Sequence, residues 1–207
     1  MTDQKKKRPN VVFILTDDQG PWALGCAGNE EIKTPHLDQL AQTGMRFENF
    51  FCTSPVCSAA RATLLTGRIP SQHGVHDWIR EGNFGDNAVE YLVDQPGYTD
   101  ILADNGYTCG ISGKWHLGNS GQPQKSFSHW YVHQKGSSHY HNAPMFREGE
   151  LVREPEYITD LITDDALDFI EKHAEDENPF YLSVHYTAPH QPWINEHPEK
   201  YVSLYED

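Results

Sequence analysis

Runs that read as buried strands alternate along this chain with segments that read as amphipathic helices, and that alternation admits few folds. Val11, Val12, Phe13, Ile14 and Leu15 form a continuous apolar, β-branched run, as expected of a strand buried on both faces of a parallel sheet. After a loop carrying Gly20, Pro21, Gly25 and Gly28, Thr34 is placed to cap a helix that has Pro35 at its first position. Leu37, Leu40 and Ala41 share one face of it, and Gly44 ends it. Residues 45–51 read as a further strand. Thr99 starts a short helix that stops at Gly106, and 107–111 reads as a strand. Thr159 opens the clearest helix, with Ile162, Ala166, Phe169 and Ile170 at helical spacing. Asn178-Pro179 separates it from a strong strand over 180–186. The expectation is an α/β fold, a largely parallel sheet flanked by helices. Between 118 and 153 the periodicity gives way to Gly, Ser, His and Asn with Trp130, Tyr131 and Tyr140 interspersed. That stretch reads as a structureless surround to an active site.

Charge excludes one class of partner. The net charge of −14 has no basic stripe to offset it, so no nucleic-acid surface is expected. The cluster Lys5-Lys6-Lys7-Arg8 reads as part of a flexible, solvated tail over 1–8. No stretch approaches the ~20 apolar residues that span a bilayer, and Val11–Leu15 is too short for a secretory apolar core. No membrane partner is expected, and the location is read as cytoplasmic, or periplasmic or secreted after loss of a leader. Cys26, Cys52, Cys57 and Cys109 show no CxxC pair and no disulfide spacing. At 207 residues with 37% hydrophobic content, the chain can bury one sizeable core.

Open α/β sheets bind ligands beyond the carboxyl ends of their strands, and here three of the expected strands end in chemically loaded sequences. The first runs into Asp17-Asp18. Adjacent carboxylates repel unless a cation or strong donors lie between them, and oxygen ligands suit a hard cation; an ordinary Asp-rich turn is the other reading. The strand before Gly113-Lys114-Trp115-His116-Leu117-Gly118 delivers a lysine and a histidine two residues apart. In an extended segment both point to one side, where they could hold a tetraoxyanion and move a proton, or stand as a surface lysine beside a half-buried histidine. The last strand leads into Ala188-Pro189-His190-Gln191-Pro192, where prolines are expected to hold His190 in an extended loop. His129, His133, His139 and His141 match no motif and read as loop residues. Cys57-Ser58-Ala59-Ala60-Arg61 sits at an expected helix start. Unpaired N–H groups make that end electropositive, and Arg61 returns to the face of Cys57; a small buried cysteine is the bland alternative.

Taken in order, Asp17-Asp18 after the first strand, Cys57 to Arg61 with Thr66-Gly67 beyond it, Gly113 to Gly118, and Ala188 to Pro192 resemble the motifs of the sulfatase family. The resemblance extends over about 9–192, with Ala59 standing where the commonest signature has proline, a variant accepted in bacterial members. It implies an alkaline phosphatase-like fold and a Cys57 oxidised to formylglycine by a formylglycine-generating maturase. The aldehyde hydrate would attack sulfur, and Asp17, Asp18 and residue 57 would ligate a divalent cation, Ca²⁺ or else Mg²⁺. Arg61 would lower the pKa of the hydrate, Lys114 and His190 would clamp the sulfate, and His190 could protonate the leaving alcohol. His116 would deprotonate the second hydroxyl and expel sulfate.

Family members are longer, and their second half completes the sheet, adds a small C-terminal domain and supplies further metal ligands. The expectation is therefore that 1–207 is the N-terminal part of a sulfatase catalytic domain, truncated. By itself it should be weakly active or inactive, and able to self-associate through an open edge. The implied activity is sulfuric ester hydrolysis of the arylsulfatase type on a sulfated small molecule or carbohydrate, the aromatic and polar residues of 118–153 suiting a sugar. A phosphonate or phosphate-ester hydrolase of the same superfamily and a catalytically dead binding remnant remain as alternatives.

Overall fold

A computed structural model describes residues 8–206, so seven of the eight residues expected to form the flexible tail lie outside the described residues. The strands are β1 Val11–Leu15, β2 Thr108–Gly113, β3 His129–His133, β4 Ala143–Arg147, β5 Glu150–Glu154 and β6 Phe180–His185. The α-helices are α1 Pro35–Thr43, α2 Cys57–Thr66, α3 Pro70–His73, α4 Tyr98–Asp104, α5 Ile158–His173 and α6 Glu199–Val202. Six strands make one sheet in the order β1-β6-β2-β3-β4-β5. The first four are mutually parallel, and β4 and β5 run antiparallel at the far side.

Side chains alternate across the sheet and build a core on each face. On β3, Trp130 and Val132 enter one cluster with Leu65, Leu92, Ile111, Trp115 and Phe127. Tyr131 enters the other, where Ile158, Ile162 and Phe169 of α5 meet Leu182 and Val184 of β6. Burial of each large side chain contributes about 1.5–3 kcal/mol, provided its polar atoms are paired. They are: Trp115 Nε1 donates to Gly118 O at 2.8 Å and Trp130 Nε1 to Ser120 O at 2.7 Å. Helix α5 approaches β2 so closely that a methyl at Gly110 would lie 2.7 Å from the Phe169 ring. No helix among the described residues is long and apolar enough to cross a membrane.

Three expectations need correction. Strand β1 pairs only with β6 among the described residues, and Ile14 is 59% exposed. Its apolar run therefore forms an edge here, and the strand covered on both sides is β6. Residues 45–51 form no strand; Phe50 is 84% exposed, and strand propensity counts for little without a neighbouring strand to pair with. The stretch 118–153 is not structureless, since it carries β3, β4 and β5. Pro144 within β4 and histidines at both ends of β3 hide the pattern. So does the β4–β5 turn, in which Glu148 (φ 51°) and Gly149 (φ 87°) both take the left-handed conformation that a two-residue hairpin of this hand requires. Smaller shifts occur elsewhere. Thr34 precedes α1 without capping it, and its Oγ1 instead accepts the Gly25 N–H at 2.8 Å. Strand β2 runs to Gly113, two residues beyond the expected end.

Candidate active site

Strand register assembles the site. Leu15, His185 and Gly113 are consecutive partners across β1, β6 and β2, so all three parallel strands finish at the same level. The segments that leave them carry Asp17, His190 and the Lys114–His116 run to one edge of the sheet, as open α/β topology requires. Helix α2 begins at Cys57 against that edge, with Val56 before it in extended conformation and Gly67 closing its last turn at φ 66°.

A buried charge cluster forms the floor. Asp17 pairs with the Lys114 ammonium, and its Oδ1 lies 3.6 Å from Arg61 Nη2. Lys114 is 1% exposed and Arg61 5%. Burial by itself would raise the Asp17 pKa, but the fields of Lys114 and Arg61 outweigh it and hold the carboxyl below its usual range. Burial and then the neighbouring Arg61 pull the Lys114 pKa down, against Asp17, which raises it. Arg61 Nη1 donates to Lys114 O at 2.9 Å, which fixes the lysine's backbone as well. Two cations against one carboxylate leave a net positive floor, the arrangement an anion would complete.

Cys57, Asp17 and His190 present ligand atoms within 4.8 Å of one another. Cys57 is half-buried and borders two cavities. One, of about 320 Å³, is also lined by Lys114, His116 and His190. The other, of about 450 Å³, has Asp17, Phe50 and Phe51 in its wall. Asp18 is exposed, at φ 61°, and stands outside the trio. The donors fit a hard divalent cation in part. Asp17 offers a carboxylate, but the sulfur of an unmodified Cys57 is a soft ligand, and only an oxygen at that position would suit such an ion.

The loops differ from their expected shapes. His190 N–H donates to Thr187 O at 2.8 Å, so His190 closes a tight turn instead of an extended segment, and Tyr140 Oη donates to His190 O at 2.7 Å. Lys114 and His116 are likewise not on an extended run. Gly113 has φ 112° with its Hα side against His185 O, and His116 has φ 57°. Both side chains nonetheless line the same cavity.

His116 is buried, and its Nε2 lies 2.9 Å from Ile79 O. A carbonyl can only accept, so the proton is on Nε2 and the Nδ1 lone pair is free; Nδ1 has no partner among the described residues. Burial, reinforced by Lys114, lowers its pKa to about 4. Gly136 lies flat on this ring. A methyl there would come within 2.6 Å of Nδ1, so Gly136→Ala is expected to destabilise by about 1–3 kcal/mol and to displace His116. Urea unfolding with the ring ¹H–¹⁵N resonances of His116 checks this; an unmoved ring would contradict it.

Two histidines that sequence reasoning passed over belong to the same neighbourhood. His133, read as a loop residue, ends β3, is fully buried and has no partner on either nitrogen among the described residues. His185 ends β6 with its Nδ1 3.1 Å from Lys114 O. Burial lowers both to about 3. His129 also lies on β3 instead of in a loop, 2.9 Å from Asp165 Oδ2, while His139 pairs with Glu196 in the loop that follows. The signal for His133 was the β3 strand itself, which the pattern concealed.

Fold and site together define an α/β chain with a positively charged, cysteine-bordered pocket at the carboxyl ends of parallel strands. The chain belongs to the sulfatase family: the family model described as Sulfatase matches residues 9–207. It is 34% identical to the N-acetylglucosamine-6-O-sulfatase of Bacteroides thetaiotaomicron over 195 residues, covering 92% of this chain and 32% of that protein. It is also 34% identical to the N-acetylgalactosamine-6-sulfatase of Mus musculus, covering 89% and 40%. A solved structure of BT4656 with its substrate D-glucosamine-2-N,6-O-disulfate superposes with a TM-score of 0.79 at 33% identity, over 91% of this chain and 36% of that one. The fold is that of the sulfatases, alkaline phosphatase-like. The chain spans about a third and two fifths, respectively, of the length of the two curated relatives named above.

Proposed function

We propose that the whole protein hydrolyses sulfate esters of carbohydrates at the site around residue 57. The observation that carries this is the convergence of Asp17, Cys57 and His190 within 4.8 Å, on a floor where Lys114 and Arg61 both lean on Asp17. The relatives named above act on sulfated amino sugars by their own names, which favours a sulfated carbohydrate over a small aryl sulfate.

Each residue has a task that its surroundings suit. Lys114 is a nearly dry point charge that would grip sulfate oxygens strongly because little water screens it. Arg61 stays charged at any working pH and would stabilise negative charge on an oxygen at position 57. His190 lines the cavity from the opposite loop and would bind the sulfate and protonate the departing alcohol. His116 offers a neutral, unpartnered Nδ1, and a bound anion nearby would raise its basicity toward the working range. Asp17 and an oxygen at residue 57 would hold a divalent cation, most suitably Ca²⁺, whose charge offsets that of the substrate; the exposed Asp18 is not placed to join them. Formylglycine at position 57, installed by a maturase, supplies an aldehyde hydrate with two hydroxyls, one to attack and one to release the product.

The test is a peptide mass. Co-expressed with a formylglycine-generating enzyme, the peptide containing residue 57 is expected to lose about 18 Da as thiol becomes aldehyde, and Cys57→Ala to show no such change. An unmodified Cys57, in cells that convert a control sulfatase, would refute the proposal. Turnover of matched sulfate and phosphate esters by the whole protein then separates the sulfatase reading from a phosphate-ester hydrolase.

A further inference from the structure

We propose that Arg80, Lys135 and Asn83 form a second anion-binding subsite, which reads a further sulfate or a uronate carboxylate on the same glycan. The inference rests on the reading of the Cys57 cavity as a sulfate site. A smaller cavity of about 260 Å³ adjoins it, and Arg80, Asn83 and Lys135 line both. They come from separate parts of the chain, Arg80 and Asn83 from the loop after α3 and Lys135 from the connection between β3 and β4.

Neither cation is used by the protein itself. Arg80 lies 4.8 Å over the Trp78 ring and Lys135 5.6 Å over that of Phe84, but neither forms an ion pair with a carboxylate among the described residues. Among the described residues no carboxylate lines the larger cavity, in which Lys114 joins Arg80 and Lys135; Glu81 borders only the smaller of the two. In a chain of net charge −14, two cations without a carboxylate partner, set beside the Asp17-paired Lys114, repel one another unless an anion lies between them. Asn83 adds an independent sign. It is 3% exposed, its Nδ2 faces Ile79 O and Arg80 O, and its Oδ1 is buried with no partner among the described residues. A buried acceptor left open is costly, and an Asn83 amide turned toward the cavity would pair it with a sugar hydroxyl or N-acetyl N–H of the glycan.

Calorimetry on the wild-type chain and on the Arg80→Ala/Lys135→Ala double variant tests this with four probes: inorganic sulfate, N-acetylgalactosamine 6-sulfate, its 4,6-disulfate, and a chondroitin 6-sulfate disaccharide carrying a uronate. Wild type is expected to bind the disulfate or the uronate disaccharide about ten-fold more tightly than the monosulfate at low salt, the margin shrinking as salt is added. In the double variant that ratio should fall to about one. A gain for the disulfate alone marks the subsite as a sulfate reader; a gain for the disaccharide alone marks a carboxylate reader. A ratio near one in wild type, or one that survives both substitutions while inorganic sulfate binds, overturns the subsite and leaves the proposed function standing. If wild type fails to bind inorganic sulfate, the sulfate site fails and the subsite with it.

Discussion

Asp17→Ala is expected to lower the unfolding free energy by about 3–5 kcal/mol, because it strands two buried cations without their counter-ion. Lys114 and Arg61 are almost fully enclosed, and Asp17 is the carboxylate that both approach. The partner variant is not symmetrical. Lys114→Met leaves Asp17 beside Arg61 at 3.6 Å, still neutralised, so its loss should be clearly smaller. In the double variant Asp17→Ala/Lys114→Met only Arg61 remains uncompensated, and part of the stability lost with Asp17 should return. Urea denaturation at pH 7 of all four proteins closes the cycle. The cost links directly to function, since a floor that carries excess positive charge is paid for in stability when its anion is absent. Sulfate should therefore raise the stability of Asp17→Ala by more than that of wild type, as ligand linkage requires. An Asp17→Ala protein within 1 kcal/mol of wild type would mean that the cluster is effectively solvated, and the electrostatic account of the site would fall.

How much of this was legible depended on whether a residue's signal was local. The strand end at Leu15 follows from a short apolar run and its flanking breakers, those at Gly113 and His185 lie within two residues of where such runs stop, and their parallel register is what turns scattered motifs into one site. Asp17, Cys57, Lys114, His116 and His190 are grouped in the sequence by the order of the four motifs that resemble the sulfatase family. Asp18 could not be told from Asp17 on composition, yet a positive φ exposes one while the other is buried. His133, Arg80 and Lys135 were invisible for a different reason. Arg80 and Lys135 reach the cavity from irregular loops, while His133 is buried at the end of β3, and β3 begins and ends in histidines that break its apolar pattern. Strand β1 shows the converse error. Its run reads as fully buried, but burial depends on which strand lies beyond it, and among the described residues none does.

Stability is expected to fall steeply as the pH drops below about 6.5, the ordinary histidine value, because three histidines are folded into this site as neutral bases. Burial lowers His116 to about 4 and His133 and His185 to about 3. Lys114 and Arg61 oppose the protonation of His116 and His133, Arg61 opposes that of His185, and Asp17 favours protonation of all three. Above 6.5 neither the folded nor the unfolded chain protonates them, and they contribute no slope. Below it the unfolded chain takes up three protons that the folded chain refuses, so acid favours unfolding, down to the folded-state values. Three protons amount to about 4 kcal/mol per pH unit, against a total of about 5–15 kcal/mol for a typical domain. The fold should therefore be lost before pH falls to about 4. His133→Leu isolates one share. Both His133 nitrogens lack partners among the described residues, so an apolar side chain gives up no hydrogen bond, and the variant should lose about one third of the slope and outlast wild type at pH 5. Melting temperatures measured from pH 7.5 to 4.5 decide it: curves that stay flat through pH 5, or that coincide for wild type and His133→Leu, would show that these histidines take up protons in the folded state.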